Sequence, residues 1–344
     1  MEKATAAGFV SGGLDSIIAV ELMKLQDVEI FLVHVINGFG HDTMRARADI
    51  SLPEDQWKRR KKLELEEKFR VPAEIVDISE EFLRTLMDPR YGYGKNMNPC
   101  IDCKIDFFGI GADMIGKGKA DFIFTGEVLG QRPMSQNSRM MQVIEKRSGL
   151  EGLIVRPLSG KIMKETIPEK KGWIERAKLQ DIQGRSRRRQ MALAKEFGVE
   201  DYPAPAGGCL LTDVNFCRRF KDMIEFAGAE NITVKDTVAL GIGRHFRISD
   251  NSRVIVGRNK QENDYLEKNY NNKWILRASD VTGPVVVLFG EVSDENMKRA
   301  ASITAKYCND RKSNIISVTA SRDDDIRNFQ VIPAGKESLA KWLV

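Results

Sequence analysis

Two groups of residues in this chain have the types and spacing to do chemistry. The first is Ser11-Gly12-Gly13-Leu14-Asp15-Ser16, set between an apolar run ending at Val10 and a segment of helical periodicity. Glycines let backbone N–H groups approach an anion closely, and a helix starting there points its dipole and its unpaired amides at that anion. The arrangement reads as a phosphate cradle, and its bland alternative is a tight strand-to-helix turn with no ligand. The second group is three cysteines. Cys100 and Cys103 form a C-x-x-C pair, and Cys209 follows two glycines. Two thiols at the C-x-x-C spacing can bind one metal, form a redox disulfide or carry a low-pKa thiolate. Three suit an iron–sulfur cluster with one iron left open, or a scheme in which one cysteine carries persulfide sulfur and another resolves it. A zinc staple between the two segments is the structural alternative. Cys217 and Cys308 sit in helical patterns and read as small core or surface side chains.

Both groups need a scaffold, and the hydrophobic pattern supplies one. Residues 29–38 read as a buried strand, 53–69 as a charged helix, 73–79 as a short strand, 102–116 as a helix and 121–131 as strand again. Apolar strands alternating with helices indicate βαβ units and a parallel sheet covered on both faces. Ligands of such sheets bind beyond the carboxyl ends of the strands, where the glycine loop, Gly38 and Thr125-Gly126-Glu127 all fall. From Ser159 to Lys195 the sequence is charged and helix-compatible. It includes Arg185, Arg187, Arg188 and Arg189, which can contact phosphates or form a solvated surface. The stretch 202–209, rich in Pro, Ala and Gly, breaks both periodicities and reads as a turn or loop. Beyond Asn231, short Val/Ile-rich strands and a helix near 294–309 indicate a separate α+β domain.

Bulk properties narrow the setting. A chain of 344 residues holds two domains, and none of its apolar runs is long enough to span a membrane. Five cysteines without an export signal point to reduced thiols and a cytoplasmic location. The net charge is +5, and residues 231–344 carry 18 Lys and Arg against 14 Asp and Glu, so the excess lies in the last third. That is a weak hint of a polyanionic partner.

Ser-Gly-Gly-x-Asp-Ser resembles the pyrophosphatase-type P-loop of ATP-dependent adenylating enzymes, which split ATP to AMP and pyrophosphate. The resemblance implies that Ser11, Gly12, Gly13, Asp15 and Ser16 hold the β- and γ-phosphates, with Asp15 near Mg²⁺. The Gly-Lys-Ser/Thr ending of γ-phosphate hydrolases is absent. Adenylation makes a carbonyl oxygen a good leaving group, and a sulfur nucleophile can then replace it. The segment from Asn98 to Lys104 is similar to the cysteine segment of tRNA 2-thiouridylases, and residues 125–136 and 156–160 are similar to blocks of 4-thiouridine synthetases. This family resemblance implies that Thr125, Gly126 and Gln131 border the adenylate. It also implies that Cys103 and Cys209 handle sulfur, with Cys100 completing the trio of cluster-dependent thiolases. The N-terminal RNA-binding domain typical of 4-thiouridine synthetases, the rhodanese domain and the second zinc-binding C-x-x-C pairs are not matched. Residues 243–249, 254–266 and 277–288 resemble the RNA-associated domain of the NFACT family. Gly257, Arg258 and Asn259 are the expected RNA-facing residues, and Arg277 stands where that family commonly has histidine.

The expected enzyme is an ATP-dependent tRNA sulfurtransferase that adenylates a uridine carbonyl and replaces its oxygen with sulfur. The expected division is a PP-loop α/β domain over 1–170, a basic, cysteine-bearing connecting region over 171–230, and an NFACT-like RNA-binding α+β domain over 231–344. Catalysis falls to Asp15, Cys103 and Cys209, and metal binding to Cys100, Cys103 and Cys209. Cofactors are ATP, Mg²⁺ and a [4Fe-4S] cluster, with Zn²⁺ or a persulfide alone as alternatives. Partners are tRNA and a sulfur donor (a cysteine desulfurase, a sulfur carrier or sulfide), with no membrane and with a homodimer compatible. The rivals are an amide- or nitrile-forming ligase using the same adenylate, and a non-catalytic RNA-binding protein with a vestigial nucleotide pocket.

Overall fold

The computed structural model describes residues 3–202, 208–309 and 314–344, so most of the Pro/Ala/Gly stretch lies outside the described residues. The chain divides into two compact units. One comprises Met1–Gly40 and Asp55–Thr212, the other His41–Glu54 and Asp213–Val344. The expected connecting region does not stand apart: residues up to 212 belong to the first unit, and those from 213 belong to the second.

The first unit is built on β1 (Thr5–Phe9), α1 (Leu14–Lys24) and β2 (Glu29–Ile36). The helix α2 (His41–Ala48) belongs to the second unit. The first unit resumes with α3 (Glu54–Phe69), β3 (Ala73–Asp77), α4 (Ser79–Met87), α5 (Cys100–Gly116) and β4 (Phe122–Thr125). It ends with α6 (Ser138–Arg147), β5 (Ile154–Val155), α7 (Ile167–Lys170) and α8 (Arg188–Glu196). Its five strands are all parallel, in the order β3-β2-β1-β4-β5.

Side chains alternate across each strand, so neighbouring residues serve opposite faces. Ala6, Leu32, Phe122, Phe124 and Val155 pack with α1, α3 and α8, while Ala7, Val33, Ile123 and Ile154 pack with α5 and α6. Phe124 dictates a residue on its neighbour strand. A Cβ on Gly8 would lie 2.3 Å from the Phe124 ring, so β1 needs glycine there. The chain winds one way from β1 to β3 and then returns to place β4 on the far side of β1. That reversal opens a crevice beyond the carboxyl ends of β1 and β4.

Two expected boundaries differ. Strand character stops at Thr125 instead of continuing to Gln131, because Gly126 leaves the sheet and Gly130 takes a left-handed φ of 76°. The helix expected from Asp102 begins at Cys100, behind Pro99. Both cysteines of the pair therefore lie in its first turn, three residues apart and on one face. Residues 159–187, read as helix-compatible, form only short turns of helix before α8.

The second unit contains α9 (Val214–Ala227), α10 (Val234–Leu240), β6 (Arg244–Ser249), β7 (Ser252–Val256), α11 (Lys260–Asn269) and β8 (Trp274–Ala278). These are followed by β9 (Val286–Gly290), α12 (Asp294–Lys306), β10 (Ile316–Arg322), β11 (Asp325–Val331) and α13 (Lys336–Trp342). Its sheet is antiparallel throughout, ordered β11-β10-β8-β9-β7-β6. Ala300, Ala301 and Ala305 present a small-residue face of α12 to Phe246, Val254, Leu276, Leu288 and Val318. Small side chains let helix and sheet approach closely and close this core. Cys217 and Cys308 are buried within this unit.

Candidate functional site

At the head of the crevice, Gly12 takes a φ of 79°, which a glycine adopts without strain. Gly13 then caps α1 with no side-chain hydrogen bond, so the first-turn amides are left to a ligand. Ser11 Oγ accepts from Gly13 N at 3.4 Å, and Ser16 Oγ donates to Gly13 O at 2.8 Å, which fixes the turn. Asp15 lies in the first turn of α1. Its Oδ2 accepts from Gln131 Nε2 at 3.0 Å, and its buried Oδ1 has no hydrogen-bond partner among the described residues. A carboxylate oxygen kept bare beside a phosphate cradle fits an Mg²⁺ ion accompanying a polyphosphate.

The loop leaving β4 closes onto this turn. Thr125, buried, pairs with Phe9 at the ends of the two strands. A Cβ on Gly126 would stand 2.6 Å from the Asp15 carbonyl and the Ser16 nitrogen. Only glycine permits that approach. Ser11, Gly12, Gly13, Asp15, Ser16, Thr125, Gly126 and Gln131 are thus brought to one edge of the sheet.

The cysteines gather in the same unit. Gly40 and Cys209 form an antiparallel bridge, Leu210 N donates to Phe39 O at 3.0 Å, and Met97 N donates to Leu211 O at 3.2 Å. This short backbone clamp carries Cys209 to α5. Burial, and next the Cys209 sulfur, push the Cys103 thiol up to about 12, with Cys100 adding to the rise. The contact from Asn37 Nδ2 to Cys103 Sγ, at 3.6 Å, and the Lys104 ammonium act in the opposite direction. Cys103 is therefore a protonated thiol at neutral pH. Asn98 Nδ2 donates to Cys100 Sγ at 2.9 Å. Among the described residues no three His, Cys, Asp or Glu side chains are spaced to hold a single metal ion. Three thiols gathered around Cys103 keep the donor chemistry of an iron–sulfur cluster, whose ligand sulfurs stand well apart.

Beneath them runs an ion network that the sequence did not reveal. Lys104 Nζ lies 3.4 Å from Glu127 Oε1, Arg156 Nε donates to Glu127 Oε2 at 3.0 Å, and Arg156 also pairs with Glu145. Burial favours protonated Glu127, but Lys104 and Arg156 outweigh it and hold its carboxyl below the ordinary range. Burial also opposes the Arg156 charge, and Glu127 and Glu145 keep it ionised. The network fixes the β4 loop to α5, so the Thr125–Gln131 segment and the cysteine pair share one rigid support. Arg156 and Lys104 belong to segments already singled out, but nothing in their spacing marked Glu127 as their partner.

In the second unit, the residues expected to face RNA are occupied. Arg258 reaches Glu262 at 2.5 Å and donates to Gly241 O at 3.3 Å. Asn259 caps α11 by accepting from Glu262 N at 3.0 Å. A Cβ on Gly257 would meet Asn263 Oδ1 at 2.0 Å. The Gly-Arg-Asn turn is a helix start held by its own side chains. His245 is buried, contacts Ile242 O at 2.9 Å and accepts from Arg253 Nη2 at 2.9 Å. Burial, then the Arg253 and Arg219 charges, drives its pKa well below the usual histidine value, so it is neutral. Arg277 is paired with Glu267.

The fold defines a chain that joins a parallel-sheet α/β domain of the HUP type to a separate antiparallel-sheet domain. Residues 4–148 match the family model of the tRNA methyl transferase HUP domain, and residues 243–343 match that of the NFACT protein RNA binding domain. The first match supports a tRNA-modifying enzyme of the PP-loop class, and the two together support tRNA as its partner. No curated protein matches the chain. Among solved structures, the C-terminal part of the fibronectin/fibrinogen-binding protein from Streptococcus suis is 15% identical. That match covers 45% of this chain and 77% of the other, and its TM-score of 0.27 carries no argument. No helix among the described residues is long and apolar enough to cross a membrane.

Proposed function

We propose that the protein is an ATP-dependent tRNA thiouridine synthase. The single observation that carries the reading is that one unit holds both an uncapped glycine turn with a bare Asp15 oxygen and three thiols grouped around Cys103. A uridine carbonyl oxygen attacks the α-phosphorus of ATP, and pyrophosphate leaves toward the Ser11–Ser16 turn. The amides there stabilise the departing charge. A sulfur nucleophile then adds to the activated carbon, and AMP departs with the former carbonyl oxygen.

Cys103 and Cys209 stand as carrier and resolver. The Cys103 thiolate takes the outer sulfur of a donor persulfide, releasing the donor thiol, and the resulting Cys103 persulfide attacks the carbon through its terminal sulfur. Cys209 thiolate then displaces that sulfur as thiouridine and leaves a Cys103–Cys209 disulfide for an external thiol to reduce. Where a cluster is bound, Cys100, Cys103 and Cys209 are the residues to hold it, and it would supply an open iron for inorganic sulfide. Lys104, anchored by Glu127, lowers the pKa of the neighbouring Cys103 and favours its ionised form.

The experiment is incubation of the anaerobically purified protein with tRNA, MgATP, a reducing thiol and either a cysteine desulfurase with cysteine or sulfide, followed by mass spectrometry of the nucleosides. Sulfur-substituted uridine formed with equivalent AMP supports the reading. AMP formation together with an amide or nitrile product would assign the same adenylate to a ligase.

A further inference from the structure

The first unit has a second helix start at the edge where Asp15 lies. Leu129 bridges Gln183 in a parallel pairing, and Gly184 N donates to Leu129 O at 2.7 Å. A Cβ on Gly130 would lie 3.5 Å from Gly184 N. Gly130 directly precedes Gln131, which donates to Asp15. The basic run beginning at Arg185 therefore starts beside the loop that touches the P-loop carboxylate. It leads into α8, which packs along α1. Like α1 at Gly13, α8 has no side-chain hydrogen bond at its N-cap, Arg187.

A buried side chain on α8 points to a ligand. Ala194 faces the α1 core, with Leu193 and Phe197 packed against it. Gln190 heads that inner face one turn earlier and is 0% exposed. Neither its amide nitrogen nor its amide oxygen has a partner among the described residues. Helical side chains lean toward the helix N-terminus, so this amide leans toward the end of α8 that follows Gly184, whose backbone is tied to the loop carrying Gln131. Burying a polar group unpaired is unfavourable unless a ligand supplies the partner.

We infer that the first turn of α8 completes the nucleotide site and grips the β,γ-phosphates of ATP. The Gln190 amide nitrogen donates to a phosphate oxygen, and its carbonyl accepts from a guanidinium that the anion draws in. Arg185, Arg187 and Arg188 neutralise the pyrophosphate as it leaves. Arg189 is held by Asp181 at 2.5 Å and stands outside this grip. The inference rests on the nucleotide reading above but is independent of the sulfur chemistry.

Calorimetric titration of the full chain with MgATP, magnesium pyrophosphate, AMP and tRNA tests it. The exposed triple variant Arg185→Ala/Arg187→Ala/Arg188→Ala should weaken ATP and pyrophosphate binding about tenfold or more, because charge-assisted hydrogen bonds are lost. AMP affinity should stay within about twofold. Gln190→Leu, checked for folding by its melting curve, and the near-isosteric Gln190→Glu should repeat that pattern. Unchanged pyrophosphate affinity in the triple variant, or an equal loss for AMP, overturns the inference. A loss confined to tRNA also overturns it and makes the run an RNA surface. If the unaltered protein binds neither ATP nor pyrophosphate, the nucleotide reading falls along with it. Normal binding with failed thiolation would overturn only the proposed reaction.

Discussion

The turn at Ser11–Ser16 and the turn at Gly257–Asn259 look alike in sequence, since each is a glycine-bearing strand-to-helix connection with polar residues. Their structures divide the labour differently. In the first, the helix has no side-chain cap, and Asp15 keeps one oxygen bare. In the second, Asn259 caps the helix and Arg258 is spent on Glu262 and Gly241. A motif residue that satisfies its own fold has little left for a ligand. A motif residue the fold leaves unsatisfied is open to one.

That contrast can be broken at several points, and the largest effect belongs to Arg156. Arg156→Ala leaves the buried Glu127 with Lys104 alone and removes the cation from the half-buried Glu145, and should cost about 3–5 kcal/mol of first-unit stability by denaturant titration. A loss below about 1 kcal/mol would mean the network is not the support described. Asp15→Ala should reduce ATP cleavage at least about 100-fold while leaving the melting curve unchanged, which separates a reserved residue from a structural one. Gly126→Ala drives a methyl against the Asp15 backbone and should cost about 1–3 kcal/mol along with ATP affinity.

Cys103 gives a pH test. Its thiol is raised to about 12 by burial and then by Cys209, so the thiolate fraction grows with each step in pH across the alkaline range. Alkylation at Cys103 should accelerate about tenfold per pH unit from about pH 7 to about 10 without a plateau. Cys209→Ser, which removes the neighbouring charge, should make labelling faster at any one pH. A plateau near the ordinary thiol value would contradict the desolvation of this half-buried thiol and the influence of Cys209.

The smallest effect sharpens the comparison from the other side. Arg258→Ala breaks an i,i+4 pair that is partly open to solvent, so the loss should be only about 0.5 kcal/mol in the second unit. tRNA affinity, read at two salt concentrations, should change less than about twofold. A large, salt-dependent loss would return Arg258 to the RNA surface.

Much of the scaffold was legible because the strands carry their burial in their composition. The runs at 29–36 and 122–125 are almost wholly apolar, and two-sided burial in a parallel sheet requires that. The strand–turn–helix at Ser11–Ser16 was legible because two adjacent glycines separate an apolar run from a segment of helical periodicity. What stayed hidden was long-range pairing. No local pattern links Glu127 to Arg156 and Lys104, Cys209 to Gly40, or Gln131 to Asp15, since these contacts arise only when loops from distant strands meet. The same limit hid the partner of Arg258. Its basic character was visible, but the Glu262 that absorbs it lies one helical turn on. The division of the chain was also hidden, because α2 is inserted between two first-unit strands yet belongs to the second unit.

The central claim is that one unit couples α-phosphate cleavage to sulfur insertion. Its most direct test follows tRNA incubated with MgATP, a reducing thiol and a cysteine desulfurase supplied with isotopically sulfur-labelled cysteine, measuring nucleotide products and digested nucleosides in the same reaction. The account predicts AMP and pyrophosphate in equal amounts, with labelled thiouridine matching the AMP, and with both lost in Asp15→Ala but only the thiouridine lost in Cys103→Ser. ADP and phosphate as the products, or AMP released with no sulfur in any nucleoside, would contradict it.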